Sequence, residues 1–269
     1  ADPFHYAMKL VDLFYNELEP YSDRIGIVKR WEDIEENQKA GKMSAMLTLE
    51  EGGICKGDLS CLRDFYRLGA RMMTITWNFP NELGFPNGKD ESVSPARSVP
   101  DTEHGLTETG IAFVQEMERI GMIIDISHLN DAGIRDVFPY TKKPFVASHS
   151  NARSLCASPR NLTDDMIRKL AERGGIAGIN FYQHFLGKQN ADESYLDLAV
   201  QHMKYMINLG GEDFVALGSD FDGIHRYDDI PDCSVLPKLV QTMKTAGLTP
   251  TQIEKICYQN TLRIYRELL

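Results

Sequence analysis

The chain has 269 residues, of which 42% are hydrophobic and 25% are charged. This composition excludes intrinsic disorder, because the apolar content is large enough to build one large domain or two small ones. The formal net charge of -10 and the pI of about 5.2 argue against a nucleic-acid binder, which needs a basic surface against the phosphates.

The cysteines and the hydropathy of the chain bear on its location. No apolar run approaches the roughly 20 residues that a membrane-spanning helix needs, and the first residues do not resemble a signal peptide. Five cysteines are scattered without a Cys-x-x-Cys pair. An odd number of cysteines in a large chain argues against a disulfide framework. We therefore predict a cytoplasmic protein that acts on small molecules and binds neither nucleic acid nor a membrane.

Six short apolar runs, taken in chain order, predict the β-strands. Each run is apolar on both faces, which is typical of parallel strands that helices cover on both sides. The runs are SAMLTLEEG (44–52), ARMMTITW (70–77), GMIIDISH (121–128), KPFVASHS (143–150), GIAGINF (175–181) and FVALGSDFDG (214–223).

Helical patterns follow these runs, and the clearest lies after the fourth one. Thr163 is a candidate N-cap, because its side-chain oxygen can accept a hydrogen bond from the first turn. A buried stripe is predicted at Met166, Ile167 and Leu170, and Gly174 predicts the end of the helix.

Alternating strands and helices predict a parallel α/β fold, either a doubly wound sheet or a (β/α)8 barrel. Polar residues stand at the ends of different predicted strands, namely Glu50, Glu51, Trp77, His128, His149 and Asp220. In a barrel these ends meet at one mouth, whereas a doubly wound sheet would spread them along a line. We therefore predict a single (β/α)8 TIM-type barrel domain over residues 1–269, with residues 78–103 as a lid.

Two histidines end successive predicted strands, each beside serine. A single histidine at a strand end is usually a structural residue with a hydrogen-bond partner. His128 and His149 together favour metal binding, because neutral imidazoles at one barrel mouth are suited to zinc.

The LEEGG stretch contains two adjacent carboxylates. Side chains alternate along a strand, so only one of Glu50 and Glu51 can face the centre of the barrel. We favour Glu51, because Gly52 and Gly53 leave room beside it for a close approach. Glu50 taken alone is interpreted as a residue of a solvated turn.

The last predicted strand ends in Asp220 and Asp222. We interpret Asp220 as functional, since a carboxylate that ends a buried strand usually meets a charge. We interpret Asp222 as an N-cap.

Histidines and carboxylates from separate strands suit a hydrolase with one or two zinc ions, because imidazoles hold the metal and a carboxylate can bridge two ions. The sequence has no GxSxG motif and no P-loop, and we interpret Cys156 as a small buried residue.

Six motifs carry a resemblance to a known family: EEGG, TITWN, IDISH, SHSNARSLCASPRN, INFY and GSDFDG, in this order. From about residue 40 to its C-terminus, the chain resembles a bacterial member of the membrane (renal) dipeptidase family of zinc peptidases. The resemblance implies a (β/α)8 barrel of the metal-dependent hydrolase kind with a binuclear zinc site. It also implies hydrolysis of dipeptides, with a D-residue accepted at the C-terminal position.

The resemblance assigns roles to particular residues. It implies that Glu51 bridges both zinc ions and that His128 and His149 bind the second one. Asp220 would be the proton shuttle next to the first zinc. Arg160 would hold the substrate carboxylate, a bidentate contact that lysine would make less well.

Two features depart from the family's pattern. Where mammalian members carry a histidine that polarises the scissile carbonyl, this chain has Trp77, which we assign to substrate binding. The family's first strand carries a His-x-Asp pair that binds the first zinc, and no such pair precedes residue 51. Six strands are counted where a barrel needs eight, so we expect the first two strands to be missing. These 269 residues are then expected to bind at most one of the two Zn2+ ions.

The sequence therefore predicts a zinc-dependent dipeptidase in which a metal-bound hydroxide attacks the peptide bond of a small-molecule dipeptide. One open alternative is another metal-dependent amidohydrolase, acting on an acylated amino acid or a cyclic amide, for which Arg160 would be dispensable. A second is a catalytically dead barrel used as a binding protein. A homodimer also stays open, and Arg153 is expected to be a structural ion-pair partner.

Overall fold

The computed structural model describes residues 2–90, 97–191, 193–225 and 228–269. The chain divides into two compact units. Unit 1 comprises Ala1–Pro86, Asp101–Lys143 and Tyr265–Leu269, and unit 2 comprises Asn87–Pro100 and Pro144–Ile264. Each unit contains parallel strands of its own, and the prediction of one barrel domain over the whole chain stays a prediction.

Ten strands lie in the described residues. They are β1 (Ile25–Val28), β2 (Met43–Met46), β3 (Thr48–Glu50), β4 (Met72–Thr74), β5 (Gly88–Asp90), β6 (Arg97–Val99), β7 (Ile123–Asp125), β8 (Val146–Ala147), β9 (Ile176–Ile179) and β10 (Val215–Leu217).

In unit 1, strand β4 lies between β3 and β7, and all three are parallel. Strands β1 and β2 form a second parallel pair. At the C-terminal ends of the three strands, Glu50 is opposite Thr74, and Thr74 is opposite Asp125. The register therefore brings two acidic side chains and a hydroxyl to one edge of unit 1.

In unit 2, strand β9 lies between β8 and β10, again in parallel. Strand β9 and the residues just after β8 and β10 approach each other closely. A Cβ atom on Gly178 or Gly218 would overlap the backbone carbonyl oxygen of Ser148, so glycine is required at both positions. This close approach lets Asn180, just after β9, donate a hydrogen bond to Asp220, just after β10.

The segment predicted as a lid contains a small antiparallel pair. Strand β5 pairs with β6, with Gly88 opposite Val99. Residues 91–96 of this segment lie outside the described residues. The role of the segment as a lid stays a prediction.

Helices connect the strands in both units. They are α1 (Pro3–Leu18), α2 (Trp31–Lys39), α3 (Leu59–Arg67), α4 (Glu108–Ile120), α5 (Asp131–Tyr140), α6 (Asp164–Glu172), α7 (Gln183–Leu186), α8 (Tyr195–Gly210), α9 (Leu236–Thr245), α10 (Pro250–Glu254) and α11 (Asn260–Leu268). A π-helical turn, Lys255–Gln259, joins α10 to α11. Phenylalanines supply the largest side chains of the core, including Phe65, Phe113, Phe145, Phe181 and Phe214.

Each of the six predicted runs contains at least one strand of the structure. The first run divides at Leu47 into β2 and β3. Strand β1 was not predicted, because its sequence IGIV is short, lies between charged residues and is only partly buried. Helix α1 was not predicted either.

The N-cap predicted for helix α6 is confirmed. The backbone N–H of Met166 donates to Oγ1 of Thr163 at 3.2 Å. Met166, Ile167 and Leu170 are all buried. Gly174 follows the helix with a φ of +80°, a conformation that glycine adopts without strain.

Candidate active site

A glutamate and a histidine of unit 1 lie side by side at the ends of two strands. Glu50 is the last residue of β3, and His128 lies in the turn that follows β7. Oε1 of Glu50 is 3.1 Å from Nε2 of His128. The imidazole is buried, at 8% exposure, while the carboxylate is 45% exposed. Imidazole nitrogen and carboxylate oxygen are two donor types that catalytic zinc sites combine.

The turn around His128 is shaped by an asparagine and a buried aspartate. Oδ1 of Asn78 is 3.0 Å from Nδ1 of His128. Asp125 accepts hydrogen bonds from Oγ1 of Thr74 at 2.9 Å and from the N–H of Ser127 at 3.0 Å. His128 itself has a φ of +69°. Residues other than glycine rarely adopt this conformation, and such strained positions concentrate at functional sites.

Glu51 has a different environment from Glu50. It is the N-cap of a short 3-10 helix, Gly52–Cys55. Oε2 of Glu51 accepts hydrogen bonds from the N–H of Gly53 at 3.1 Å and from Nδ2 of Asn81 at 2.7 Å. The carboxylate beside His128 therefore belongs to Glu50, whereas the sequence analysis had favoured Glu51.

One aromatic side chain, Trp77, lies next to His128, and a second, Phe79, packs against Trp77. The ring of Trp77 is 6.3 Å from the imidazole and 5.6 Å from the ring of Phe79, measured between centroids. Trp77 is 40% exposed and Phe79 is 48% exposed. Paired aromatic side chains with this much open surface can contact a small molecule bound at Glu50 and His128.

In unit 2, the strand ends carry His149 and Asp220. His149 is 9% exposed, and its Nδ1 is 2.6 Å from Oγ of Ser148. Asp220 has a φ of +62°, so it shares the left-handed conformation of His128. Nδ2 of Asn180 donates to Oδ2 of Asp220 at 3.0 Å.

The loop after His149 presents Arg160. Its guanidinium carbon is 5.4 Å from the centroid of the Phe185 ring, within the range of a cation–π contact. Arg153 donates to the backbone carbonyls of Pro159 and Asn161, at 2.8 Å in each case. These two hydrogen bonds to backbone carbonyl groups stabilise the loop, which is a structural role for Arg153.

A buried histidine joins the start of the Arg160 loop to helix α7. Nδ1 of His202, on helix α8, accepts a hydrogen bond from the N–H of Ala152 at 3.1 Å, and its Nε2 is 3.1 Å from the carbonyl oxygen of Leu186. Burial lowers the pKa of His202 to about 4. The imidazole is therefore neutral near pH 7, as a ring that accepts one hydrogen bond and donates another must be.

The cysteines show no sign of nucleophilic activation. All five are free thiols. Burial raises the pKa of the Cys55 thiol to about 12, and burial also raises the pKa of Cys156. Because the thiolate is the nucleophile, a raised pKa argues against a nucleophilic role for Cys156. Its side chain is only partly buried, whereas the sequence analysis interpreted it as buried.

The predicted site residues fall into both units. Glu51, Trp77 and His128 lie in unit 1, and the others, His149, Arg160 and Asp220, lie in unit 2. The sequence analysis gave no role to Asn78 or Asn180, which contact His128 and Asp220. A signal was present in the sequence, since Asn78 directly follows the predicted run 70–77 and Asn180 lies near the end of the predicted run 175–181.

Parallel strands that end in imidazole and carboxylate groups define the class of this protein as metal-dependent hydrolases with an α/β fold. The chain belongs to the membrane dipeptidase family, peptidase family M19, whose model matches residues 1–268. The resemblance seen in the sequence is therefore confirmed, and with it the enzyme class, metallo-dipeptidase.

Individual relatives agree with this membership. An uncharacterized protein in the pqqA 5' region of Klebsiella pneumoniae is 36% identical over 239 residues, covering 88% of this chain and 86% of that protein. An uncharacterized dipeptidase of Schizosaccharomyces pombe is 34% identical, covering 84% of this chain. The chain spans 53% of the length of that dipeptidase, and 59% and 62% of two further curated dipeptidases.

A solved structure supports the fold. It is a metallopeptidase from Rhodobacter sphaeroides, liganded with a phosphinate mimic of the dipeptide L-Ala-D-Ala. It is 30% identical, with a TM-score of 0.88 over all of this chain and 75% of that one. The predicted α/β fold class is therefore confirmed. Among the described residues, no helix combines the length and apolar character needed to cross a membrane.

Proposed function

We propose that this chain is a metal-dependent dipeptidase that hydrolyses the peptide bond of small dipeptides. The observation that carries the proposal is the contact between Glu50 and His128. With Nδ1–H of His128 donating to Asn78, Nε2 presents its lone pair to a carboxylate oxygen 3.1 Å away. An imidazole nitrogen and a carboxylate oxygen at this distance can both bind one metal ion, so the pair fits a metal site.

The proposed metal ligands are Glu50 and His128, whose facing atoms lie 3.1 Å apart, together with His149, which the resemblance to the family implies. Glu50 takes the place that the sequence analysis gave to Glu51, because the carboxylate of Glu51 already caps a 3-10 helix. Two imidazoles and one carboxylate suit zinc, with a fourth position left for water or substrate. A bound zinc ion polarises a carbonyl group and lowers the pKa of water, which is the chemistry that peptide hydrolysis requires.

The protein's own side chains supply binding and proton transfer in this proposal. Arg160 binds the free carboxylate of the substrate through its planar guanidinium, which the ring of Phe185 supports. Trp77 covers the side of the substrate next to His128. Asp220 takes a proton from the attacking water and passes it to the leaving amine, so that the amine departs uncharged.

The substrate is proposed to be a dipeptide that can carry a D-residue at its C-terminal position. The ligand of the Rhodobacter sphaeroides relative, a mimic of L-Ala-D-Ala, supports this assignment. A free carboxylate at the end of such a small substrate gives Arg160 its partner.

Hydrolysis assays test the proposal directly. The purified protein, loaded with zinc, should cleave L-Ala-D-Ala and L-Ala-L-Ala, lose activity with a chelator and regain it with added zinc. The amidated dipeptide, which lacks the free carboxylate, should react far more slowly. Metal content by plasma mass spectrometry gives the number of bound ions. Absence of cleavage by the zinc-loaded protein, or cleavage that survives complete metal removal, would contradict the proposal.

Cellular location and assembly complete the proposal. The five free thiols support a cytoplasmic location, since a reducing compartment keeps cysteines unpaired. A homodimer is the proposed assembly, and light scattering of the purified protein measures it.

A further inference from the structure

Asn180 is held in one orientation by its own hydrogen bonds. Its side-chain Oδ1 accepts from the N–H of Tyr182 at 2.7 Å, and its Nδ2 donates to Oδ2 of Asp220 at 3.0 Å. A flipped amide would turn Nδ2 toward the N–H group and Oδ1 toward the carboxylate, so both hydrogen bonds would be lost. The amide therefore offers Asp220 a donor of fixed direction.

The backbone of Asn180 is fixed as well. Its N–H donates to Oδ1 of Asn151, and Nδ2 of Asn151 donates back to the carbonyl oxygen of Asn180, both at 2.9 Å. Asn151 and Asn180 are both 0% exposed. These two hydrogen bonds continue the contact of strands β8 and β9 beyond their last residues. They hold the backbone of Asn180 in a fixed position next to Asp220.

A glycine leaves space on the other side of the carboxylate. The N–H of Gly223 donates to the backbone oxygen of Asp220 at 3.0 Å. A Cβ atom at position 223 would overlap Oδ1 of Asp220. Any larger residue there would force the carboxylate to rotate or shift.

We propose that Asn180 and Gly223 are positioning residues that hold the Asp220 carboxylate in the orientation needed for proton transfer to the leaving amine. Asn180 orients Oδ2 by donating a hydrogen bond to it. Gly223, which has no Cβ atom, leaves room for Oδ1. The inference rests on the proposed function, because it concerns the group assigned to the proton-transfer step.

The first test is Asn180→Asp, which keeps the size of the side chain and an acceptor for the N–H of Tyr182 but replaces the donor by a second oxygen. We expect kcat for L-Ala-D-Ala to fall about 10- to 100-fold, the usual effect of losing a residue that orients a functional group. KM should stay within roughly twofold, since binding of the substrate carboxylate is untouched.

Asn260→Asp is the matched control. Asn260 is a buried asparagine of the same unit, and its Nδ2 donates to the carbonyl oxygens of Glu212 and Val215 at 2.9 and 2.8 Å. This substitution also buries a new carboxylate, so it should lower stability while kcat stays close to that of the unchanged protein. An equal loss of kcat in both variants would overturn the proposal in favour of a general folding effect.

Gly223→Ala is a second variant that does not depend on a buried charge. Gly223 is exposed, so the substitution leaves the core intact, and we expect a kcat loss similar to that of Asn180→Asp. A Gly223→Ala protein with unchanged kcat would overturn the role of Gly223.

A double-mutant cycle separates positioning from other effects. In the background of Asp220→Asn, the substitution Asn180→Asp should cause no further loss of kcat, because the group that it positions is gone. A loss of the same size in both backgrounds would overturn the inference. An Asp220→Asn protein that retains full activity would instead contradict the role of Asp220 in the proposed function, so the two failures are distinguishable.

Discussion

At the scale of single residues, two adjacent glutamates have different surroundings because a strand ends between them. Strand β3 ends at Glu50, and its exposed side chain reaches His128. One residue later the chain enters a 3-10 helix, and Glu51 uses its carboxylate to cap it. Acceptor side chains are favoured at N-caps because they satisfy backbone N–H groups that have no partner inside the helix. The same residue type thus contacts the His128 imidazole in one position and caps a 3-10 helix in the next.

Glu50→Gln is predicted to lower metal affinity, because it replaces a charged oxygen ligand by a neutral amide. We expect the apparent affinity for zinc to fall at least about 10- to 100-fold, measured by competition with a chelating dye. Glu51→Gln is the matched control. It keeps an oxygen that can accept from Gly53 and should leave zinc affinity unchanged. The reverse pattern would restore Glu51 as the ligand.

Arg160→Ala is predicted to weaken the reaction of dipeptides that carry a free carboxylate. Loss of a charge-assisted contact should cost about 2–4 kcal/mol, or roughly 30- to 1000-fold in kcat/KM. The amidated dipeptide should be affected little, and the metal content should not change. Arg160→Lys should recover part of the loss, because it keeps the charge without the planar fork. Equal losses for both substrates would argue against carboxylate recognition.

At the scale of secondary-structure elements, helix α6 shows how one side chain defines a boundary. Thr163 accepts the N–H of Met166, and the helix then buries three apolar side chains on one face. Asp164 and Asp165 in its first turn carry the charge that the positive end of the helix dipole favours.

Thr163→Ala is predicted to lower the free energy of unfolding by about 0.5–2 kcal/mol, because the N–H of Met166 loses its side-chain acceptor. Urea denaturation measures the change. Thr163→Ser keeps the hydroxyl and should lose less than half as much. A Thr163→Ala protein as stable as the unchanged one would show that water replaces the cap at no cost.

At the scale of the whole molecule, the buried His202 couples stability to pH. Its pKa is about 4 in the folded protein, against an ordinary value of 6.5. Between these values the unfolded chain binds a proton at this imidazole while the folded protein does not. Stability is therefore complete above about pH 6.5 and is lost as the pH falls toward 4, by up to about 3 kcal/mol.

Unfolding measured from pH 6.5 to 5 should reveal this contribution. Over this range we expect His202 to remove roughly 1–2 kcal/mol of stability. Glu116, whose hydrogen bond with Arg119 lowers its pKa to about 2, titrates below the range. His202→Gln should be less stable at pH 7.5 but should show a flatter dependence on pH. Parallel pH profiles for the two proteins would contradict the assignment.

The sequence by itself determined the features that depend on local patterns. Apolar runs and N-cap residues are local, so the six strand-containing segments and the start of helix α6 could be predicted. The family could be predicted too, because its motifs are contiguous stretches. The polar residues at strand ends, His128 and His149 among them, could be found because the end of an apolar run is visible in the sequence.

Only the tertiary structure decided which of these polar groups meet. Whether Glu50 or Glu51 lies beside His128 depends on the residue at which β3 ends and the 3-10 helix begins. A shift of one position would reverse the direction of the side chain. The contact between Asn180 and Asp220 joins residues 40 positions apart through the parallel pairing of β9 and β10. Strand β1 is held by its pairing with β2 rather than by its own sequence. Each of these outcomes depends on a partner that is distant in the sequence or on the exact end of an element, so no local pattern could specify it.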